Sequence, residues 1–224
     1  MSIELPIHCP LCSERGRAAI PRSPHFHTIV ADPPWPYSSQ DLKAAPKHRP
    51  NTWNGPTGGV AAATRYETLS IPKLCALPVR AVAAPDAHLY LWTTNSFLVE
   101  AHEVARAWGF EPKTLITWGK IKQGQSDFVP SMKMGYWFRS ATEHVLFAVR
   151  GKLRLRTPEA LPTLFLHERL PHSAKPESFQ DLVEKASPGP YLEMFARRAR
   201  AGWAVFGHQA PGAIVLGQGS AVQP

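Results

Sequence analysis

The sequence predicts an α/β domain: a mainly parallel sheet covered by helices on both faces. Two observations predict it. Short apolar runs of strand length alternate along the chain with stretches of helical period, the pattern of successive βαβ units. With 224 residues and 44% hydrophobic content, the chain is long enough to bury one sizeable core.

Taken in order, the first element is the run His27-Thr28-Ile29-Val30-Ala31, which reads as a buried strand. Residues Pro36 to Tyr66 hold Pro46, Pro50, Gly55, Pro56, Gly58 and Gly59 with no sustained period, and read as a long loop. A helix is predicted over Leu69–Val82 and a strand at His88–Trp92. A second helix follows a cap at Asn95 or Ser96; Phe97, Leu98, Ala101, Val104, Ala105 and Trp108 form its apolar stripe, and Gly109 ends it. Thr114–Trp118 reads as a strand opening into another loop that reaches about Thr142, and Glu143–Val149 as the next strand. A helix over Glu177–Ala186 is entered through Pro176 and stopped by Ser187-Pro188-Gly189-Pro190, with Phe179, Leu182 and Val183 inward. Leu192–Ala196 and Trp203–Phe206 complete the strands. These spans suggest an N-terminal extension over 1–25, a domain over 26–209 and a charge-free, flexible tail over 210–224.

The first strand ends in Asp32-Pro33-Pro34-Trp35. Open α/β sheets place ligands beyond the C-terminal ends of their strands, so Asp32 is aimed at a pocket. Two prolines fix φ and carry no N–H, leaving carbonyls to accept and nothing to donate. Trp35 adds a flat ring able to stack on a planar heterocycle. A strand ending in Asp-Pro-Pro is also an ordinary exit from a sheet. No G-x-G-x-x-G follows any of the strands, so the dinucleotide fingerprint is absent and a different cofactor is implied.

Charge narrows the partner. The formal net charge is +8, from 25 Lys and Arg against 17 Asp and Glu. Lys43, Lys47, Arg49 and Arg65 oppose Asp41 in the first loop, and Lys120, Lys122, Lys133 and Arg139 oppose Asp127 in the second. Such loops suit salt-sensitive phosphate contacts, making nucleic acid the leading partner; a solvated surface is the alternative. No stretch has the length of an apolar membrane span or the pattern of a signal peptide, so a soluble, cytoplasmic protein is expected. Three cysteines argue against a secreted disulfide framework. Cys9-Pro10-Leu11-Cys12 has the spacing of a zinc half-site and His25 follows suitably, but His27 comes too soon after His25 to serve as the fourth ligand. No metal is expected.

Further motifs follow in order: Tyr66-Glu67-Thr68-Leu69-Ser70, Leu89-Tyr90-Leu91-Trp92-Thr93, Ala107-Trp108-Gly109-Phe110, Gly135-Tyr136-Trp137 with Glu143-His144, His172-Ser173-Ala174-Lys175-Pro176, Glu193-Met194-Phe195-Ala196-Arg197 and Gly207-His208-Gln209. Together with Asp32-Pro33-Pro34-Trp35 they resemble the mRNA adenosine N6-methyltransferase catalytic-subunit family and its bacterial and phage relatives, from about His27 to Gln209. The resemblance implies a Rossmann-like, S-adenosylmethionine-dependent methyltransferase with permuted motif order, acting on adenine in nucleic acid, DNA in preference to RNA.

The resemblance also implies roles. Asp32 and the Pro33 carbonyl would hold the two N–H groups of the adenine amino nitrogen, whose lone pair is otherwise delocalised into the ring, with Pro34 and Trp35 completing the catalytic turn. Trp35 and Tyr66 would flank a single-stranded or flipped base, and Lys120, Lys122, Arg139 and Glu143 would meet the substrate. Asp32, Lys175, Phe195, Arg197, His208 and Gln209 would line the cofactor, although His208 replaces the Asn usual before that Gln. Glu143 could equally be a buried ion-pair partner, and Phe195 plain core. A homodimer or a partner subunit is compatible with this reading. Two alternatives stand beside it: a catalytically silent nucleic-acid-binding subunit, against which the intact acceptor turn argues, and a cytosine N4-methyltransferase.

Overall fold

The computed structural model describes residues 25–36, 68–124, 129–132, 138–170 and 174–207. Strand Phe26–Ala31 (β1) leads to two short helices, Ile71–Cys75 (α1) and Val79–Val82 (α2). Strand Ala83–Thr93 (β2) is followed by a 3-10 turn at Asn95–Phe97, helix Leu98–Ala107 (α3) and strand Glu111–Ile121 (β3). Then come Thr142–Arg150 (β4), Leu164–Glu168 (β5), helix Glu177–Ala186 (α4), Tyr191–Met194 (β6) and Trp203–Phe206 (β7).

The strands form one sheet in the order β5-β3-β4-β2-β1-β6-β7. β1 pairs in parallel with β2 and β6, β6 with β7, and β3 with β5. β4 alone runs the other way, antiparallel to both β2 and β3. From β1 the chain moves to β2 on one side, whereas β6 and β7 lie on the other. That makes the crevice beyond the C-terminal ends of β1 and β6 the topological switch point, where such sheets bind ligands.

Alternation along β1 sends its side chains to two cores. Ile29 and Ala31 join Leu89, Leu91, Leu74, Val79 and the α3 residues Ala101, Val104, Ala105 and Trp108 on one face. Val30 joins Tyr90, Trp92, Trp118 and Val145 under Phe179 and Val183 of α4 on the other. Trp108 Nε1 donates to Leu74 O at 2.8 Å, tying α3 to α1. Among the described residues the buried side-chain polar atoms are satisfied: Ser187 Oγ lies 2.7 Å from both His88 Nδ1 and Tyr90 Oη. Burial pushes the Tyr90 phenol up to about 12 and the His88 imidazole down.

The fold class stands as expected, and the structure revises several elements. The helix predicted over Leu69–Val82 is two pieces because Pro78, lacking an N–H, breaks the ladder between them. The capping role expected of Asn95 or Ser96 is absent: the 3-10 turn intervenes, α3 starts from Phe97, and Asn95 Oδ1 lies 2.5 Å from His144 Nε2. Gly109 does end α3, with φ +84. The strand expected to reach Ala196 stops at Met194, since Phe195 adopts φ +63. β5 has no counterpart in the sequence reading. Among the described residues no helix is long and apolar enough to cross a membrane. The expectations for Cys9, Cys12, the loop at 37–66 and the segment after Gly207 lie outside the described residues.

Candidate active site

Asp32 follows the last residue of β1, at the switch-point crevice, with its N–H 3.4 Å from Met194 O of β6. The turn behind it is rigid for reasons beyond its prolines. Trp35 N–H donates to Pro33 O at 2.9 Å, and Leu69 N–H donates to Pro34 O at 2.9 Å, anchoring the turn to the segment before α1. The expected wall of free carbonyls is thereby corrected: Pro34 O is engaged by Leu69, and Pro33 O accepts within the turn while its second lone pair can still serve a ligand.

Trp35 is corrected as well. Its ring is only 4% exposed, stacks on Phe97 at 5.4 Å and 12°, and donates Nε1–H to Trp92 O at 3.0 Å. It pins the turn to β2 and to the start of α3 instead of offering a face to a base.

The carboxylate of Asp32 belongs to a chain of alternating charges. Lys175 Nζ donates to Asp32 Oδ2 at 2.7 Å and lies 3.4 Å from Glu143 Oε2, while Lys120 Nζ donates to Glu143 Oε1. Each ammonium also covers a tryptophan: Lys175 lies 5.0 Å from the ring of Trp92, Lys120 4.5 Å from that of Trp118, and the two rings meet edge to face. The supply of these groups follows from topology. Glu143 is the second residue of β4, opposite Trp118 of β3, and Lys120 sits two residues further along β3. Lys175 stands just before α4, whose Phe179 packs on Trp92.

Electrostatics fit the pairing. Burial alone would raise the Glu143 carboxyl, but Lys175 and Lys120 beside it hold it below the usual carboxylate range. Burial alone would lower Lys175, yet Asp32 and Glu143 keep its ammonium above the ordinary lysine value. Glu193 of β6, which Gln180 Nε2 meets at 2.6 Å, is pushed up by burial and by the charge of Asp32.

Lys120 is therefore no flexible phosphate contact, being 6% exposed and paired with Glu143. Glu143 takes the ion-pair role of its two alternatives. Lys175, expected to line the cofactor, is paired with Asp32 and Glu143. Lys122 and Arg139 are exposed at the same sheet edge. Phe195 borders the crevice just past β6, edge to face with Phe206 at 6.1 Å. Arg197 is exposed beside it, while Arg198 is drawn to α4 by Glu177 and Arg200 by Asp181 and Glu184. Tyr66, His208 and Gln209 lie outside the described residues. Among the described residues no cluster of His, Cys, Asp and Glu is arranged to hold a metal ion.

The sequence reading gave no role to Trp92, Glu193 or Gly207. Gly207 closes against the backbone of the crevice wall: a Cβ there would lie 2.7 Å from Ala196 O and 2.8 Å from Ala196 N. With the left-handed Phe195, this close backbone approach holds the end of β7 against the turn that leaves β6 at the switch point, where sheets of this kind take a nucleoside-containing cofactor.

A mainly parallel sheet with one reversed strand, and an acidic acceptor turn at its switch point, define a Rossmann-like group-transfer enzyme without a dinucleotide fingerprint. Comparison with known proteins agrees. A family model described as MT-A70 matches residues 26–209. The chain is 30% identical over 191 residues to the Type II methyltransferase M.MunI of a Mycoplasma species, covering 83% of this chain and 78% of that protein. It is 31% identical over 211 residues to the N6-methyladenosine RNA methyltransferase MTA1 of Cryphonectria parasitica, covering 91% and 56%. With the N(6)-adenosine-methyltransferase catalytic subunit METTL3 of Homo sapiens it shares 25% over 194 residues, 85% of this chain but 29% of that protein. The chain is a methyltransferase of the MT-A70 family.

Proposed function

We propose that this enzyme transfers a methyl group from S-adenosylmethionine to the N6 amino group of adenine in nucleic acid, with DNA favoured over RNA. The observation that carries the reading is the Asp32 carboxylate, fixed at the switch point by Lys175 Nζ at 2.7 Å. Bound S-adenosylmethionine supplies an electrophilic methyl group. The chain's own task is to orient a weak nucleophile. Asp32 and the remaining lone pair of Pro33 O accept the two amino N–H bonds, which favours a tetrahedral nitrogen whose lone pair points at the methyl carbon. Asp32 then stands where the departing amino proton is released. Lys175 holds the Asp32 carboxylate in position until a substrate arrives, and Asp32 and Glu143 together keep Lys175 charged.

On the cofactor side, Phe195 and Arg197 just past β6 would line the group, with His208 and Gln209 following in sequence. Exposed Lys122 and Arg139 would meet the phosphates of a single-stranded or flipped-out target. The preference for DNA leans on the Type II methyltransferase relative, 78% of which the chain covers, against 56% and 29% for the relatives named for RNA and adenosine. On the same reading, residues 26–209 form the methyltransferase domain between an N-terminal extension and a tail, the enzyme works in the cytoplasm, and it acts as a homodimer or beside a partner subunit.

Labelled-methyl transfer run in parallel on single-stranded DNA, duplex DNA and RNA, followed by nucleoside analysis, tests the proposal. N6-methyladenine in a DNA arm supports it. N4-methylcytosine would replace the base, product in RNA alone would replace the polymer, and no product in any arm would favour a silent binding subunit.

A further inference from the structure

At the sheet edge opposite Asp32, where β4 ends and β3 begins, the surface holds an open depression of about 350 Å³ lined by Arg106, Lys113 and Arg150 with Phe110, Glu111 and Gly151. Arg80 borders it, lying over Gly109, where an added Cβ would come within 3.1 Å of Arg80 Nε. Four cations thus gather against two acids, Glu111 and Asp86, the second of which lies against Gly151. The nearby Asp86 accepts from the backbone N–H of Lys152 at 2.6 Å. The cluster is not a loose surface run. Arg150 Nη1 donates to Arg80 O at 2.9 Å and to Ala83 O at 3.2 Å, which fixes its guanidinium, and Arg106 projects from the last turn of α3. None of these residues has a part in the chemistry at Asp32.

We infer that this depression is a second nucleic-acid contact, a phosphate-binding subsite that holds the substrate backbone away from the target base. The inference rests on the reading of the substrate as nucleic acid. Arginine forks match phosphate oxygens in shape as well as charge, and a concave cationic surface with a fixed guanidinium needs little reorganisation to receive them. Glu143 and Arg150 stand near the two ends of β4, seven residues apart, so the strand rise places the depression about 24 Å from the catalytic edge. A backbone that follows the surface between them therefore needs at least about seven stacked nucleotides. A strand shorter than this reaches only the active site, whereas a longer one engages both.

The test measures binding by fluorescence anisotropy, and methyl transfer, with oligonucleotides of about four and about 20 nucleotides carrying one target adenine. The variants are R106E/K113E and, as a charge-preserving control, R106K/K113R. Wild-type enzyme is expected to bind the long strand about tenfold more tightly than the short one. R106E/K113E loses that advantage and about two units of salt slope, with its kinetics on the short strand unchanged, while R106K/K113R keeps both. An equal length advantage and salt slope in wild type and R106E/K113E would overturn the inference. Length-dependent binding that the charge reversal abolishes, in an enzyme that transfers no methyl to either strand, would uphold this subsite and overturn the proposed function instead.

Discussion

Lys175 Nζ lies 2.7 Å from Asp32 Oδ2 across a sequence separation of 143 residues, so the fold delivers a cation from the entrance of α4 to the carboxylate that ends β1. Only 21% of the lysine side chain and 28% of the aspartate side chain are exposed. Replacing Lys175 with Met leaves the Asp32 and Glu143 carboxylates facing each other without their cation. A stability loss of about 3 kcal/mol is expected, by analogy with other broken buried pairs. Urea denaturation of Lys175→Met beside Lys175→Arg measures it, with the arginine variant recovering most of the loss.

Lys120 and Lys122 are two residues apart and are expected to part company. Lys120→Met removes one of the two cations beside the buried Glu143 and costs about 3 kcal/mol. Lys122→Ala, at an exposed position, changes stability by less than about 0.5 kcal/mol and instead weakens nucleic-acid binding with a smaller salt slope. Melting temperatures and salt-dependent anisotropy on the two variants separate these outcomes.

Trp35 offers a check on the turn. Trp35→Phe keeps the stack on Phe97 and loses the donor to Trp92 O, a cost of about 1–2 kcal/mol, whereas Trp35→Ala costs about 3–5 kcal/mol. A tryptophan that served the base alone would leave stability untouched in both variants and raise only KM.

The strands β1 and β7 and the helix α4 were legible in sequence because each is a compact apolar pattern bounded by Pro, Gly or a charged turn. β5 was not. It is an edge strand whose Leu164 and Leu166 face outward, 54% and 48% exposed, so it lacks the apolar-in, polar-out alternation that marks a strand. β2 begins earlier than its apolar run because an exposed Pro85-Asp86 interrupts the pattern. Asp32 could be placed at the site from its strand alone. The pairing of Lys120 with Glu143 could not, since it depends on the register between β3 and β4.

The buried His88 sets an acid limit on stability. Burial lowers its pKa, so between its folded value and the unfolded 6.5 the unfolded chain binds a proton that the folded chain does not. Stability is full above pH 6.5 and declines as pH falls through that window, with a slope of up to about 1.4 kcal/mol per pH unit. His144, also lowered by burial, adds in the same direction. Thermal unfolding from pH 7.5 down to about 5.5 is expected to show a shallower decline in His88→Gln than in wild type.

The central claim is that Asp32 orients the adenine amino group. Labelled-methyl incorporation into adenine-containing oligonucleotides, comparing wild-type enzyme with Asp32→Ala at matched folded fraction, tests it most directly. A fall of about a hundredfold or more in kcat, with N6-methyladenine as the wild-type product, is the predicted result. Equal incorporation by both proteins would contradict it.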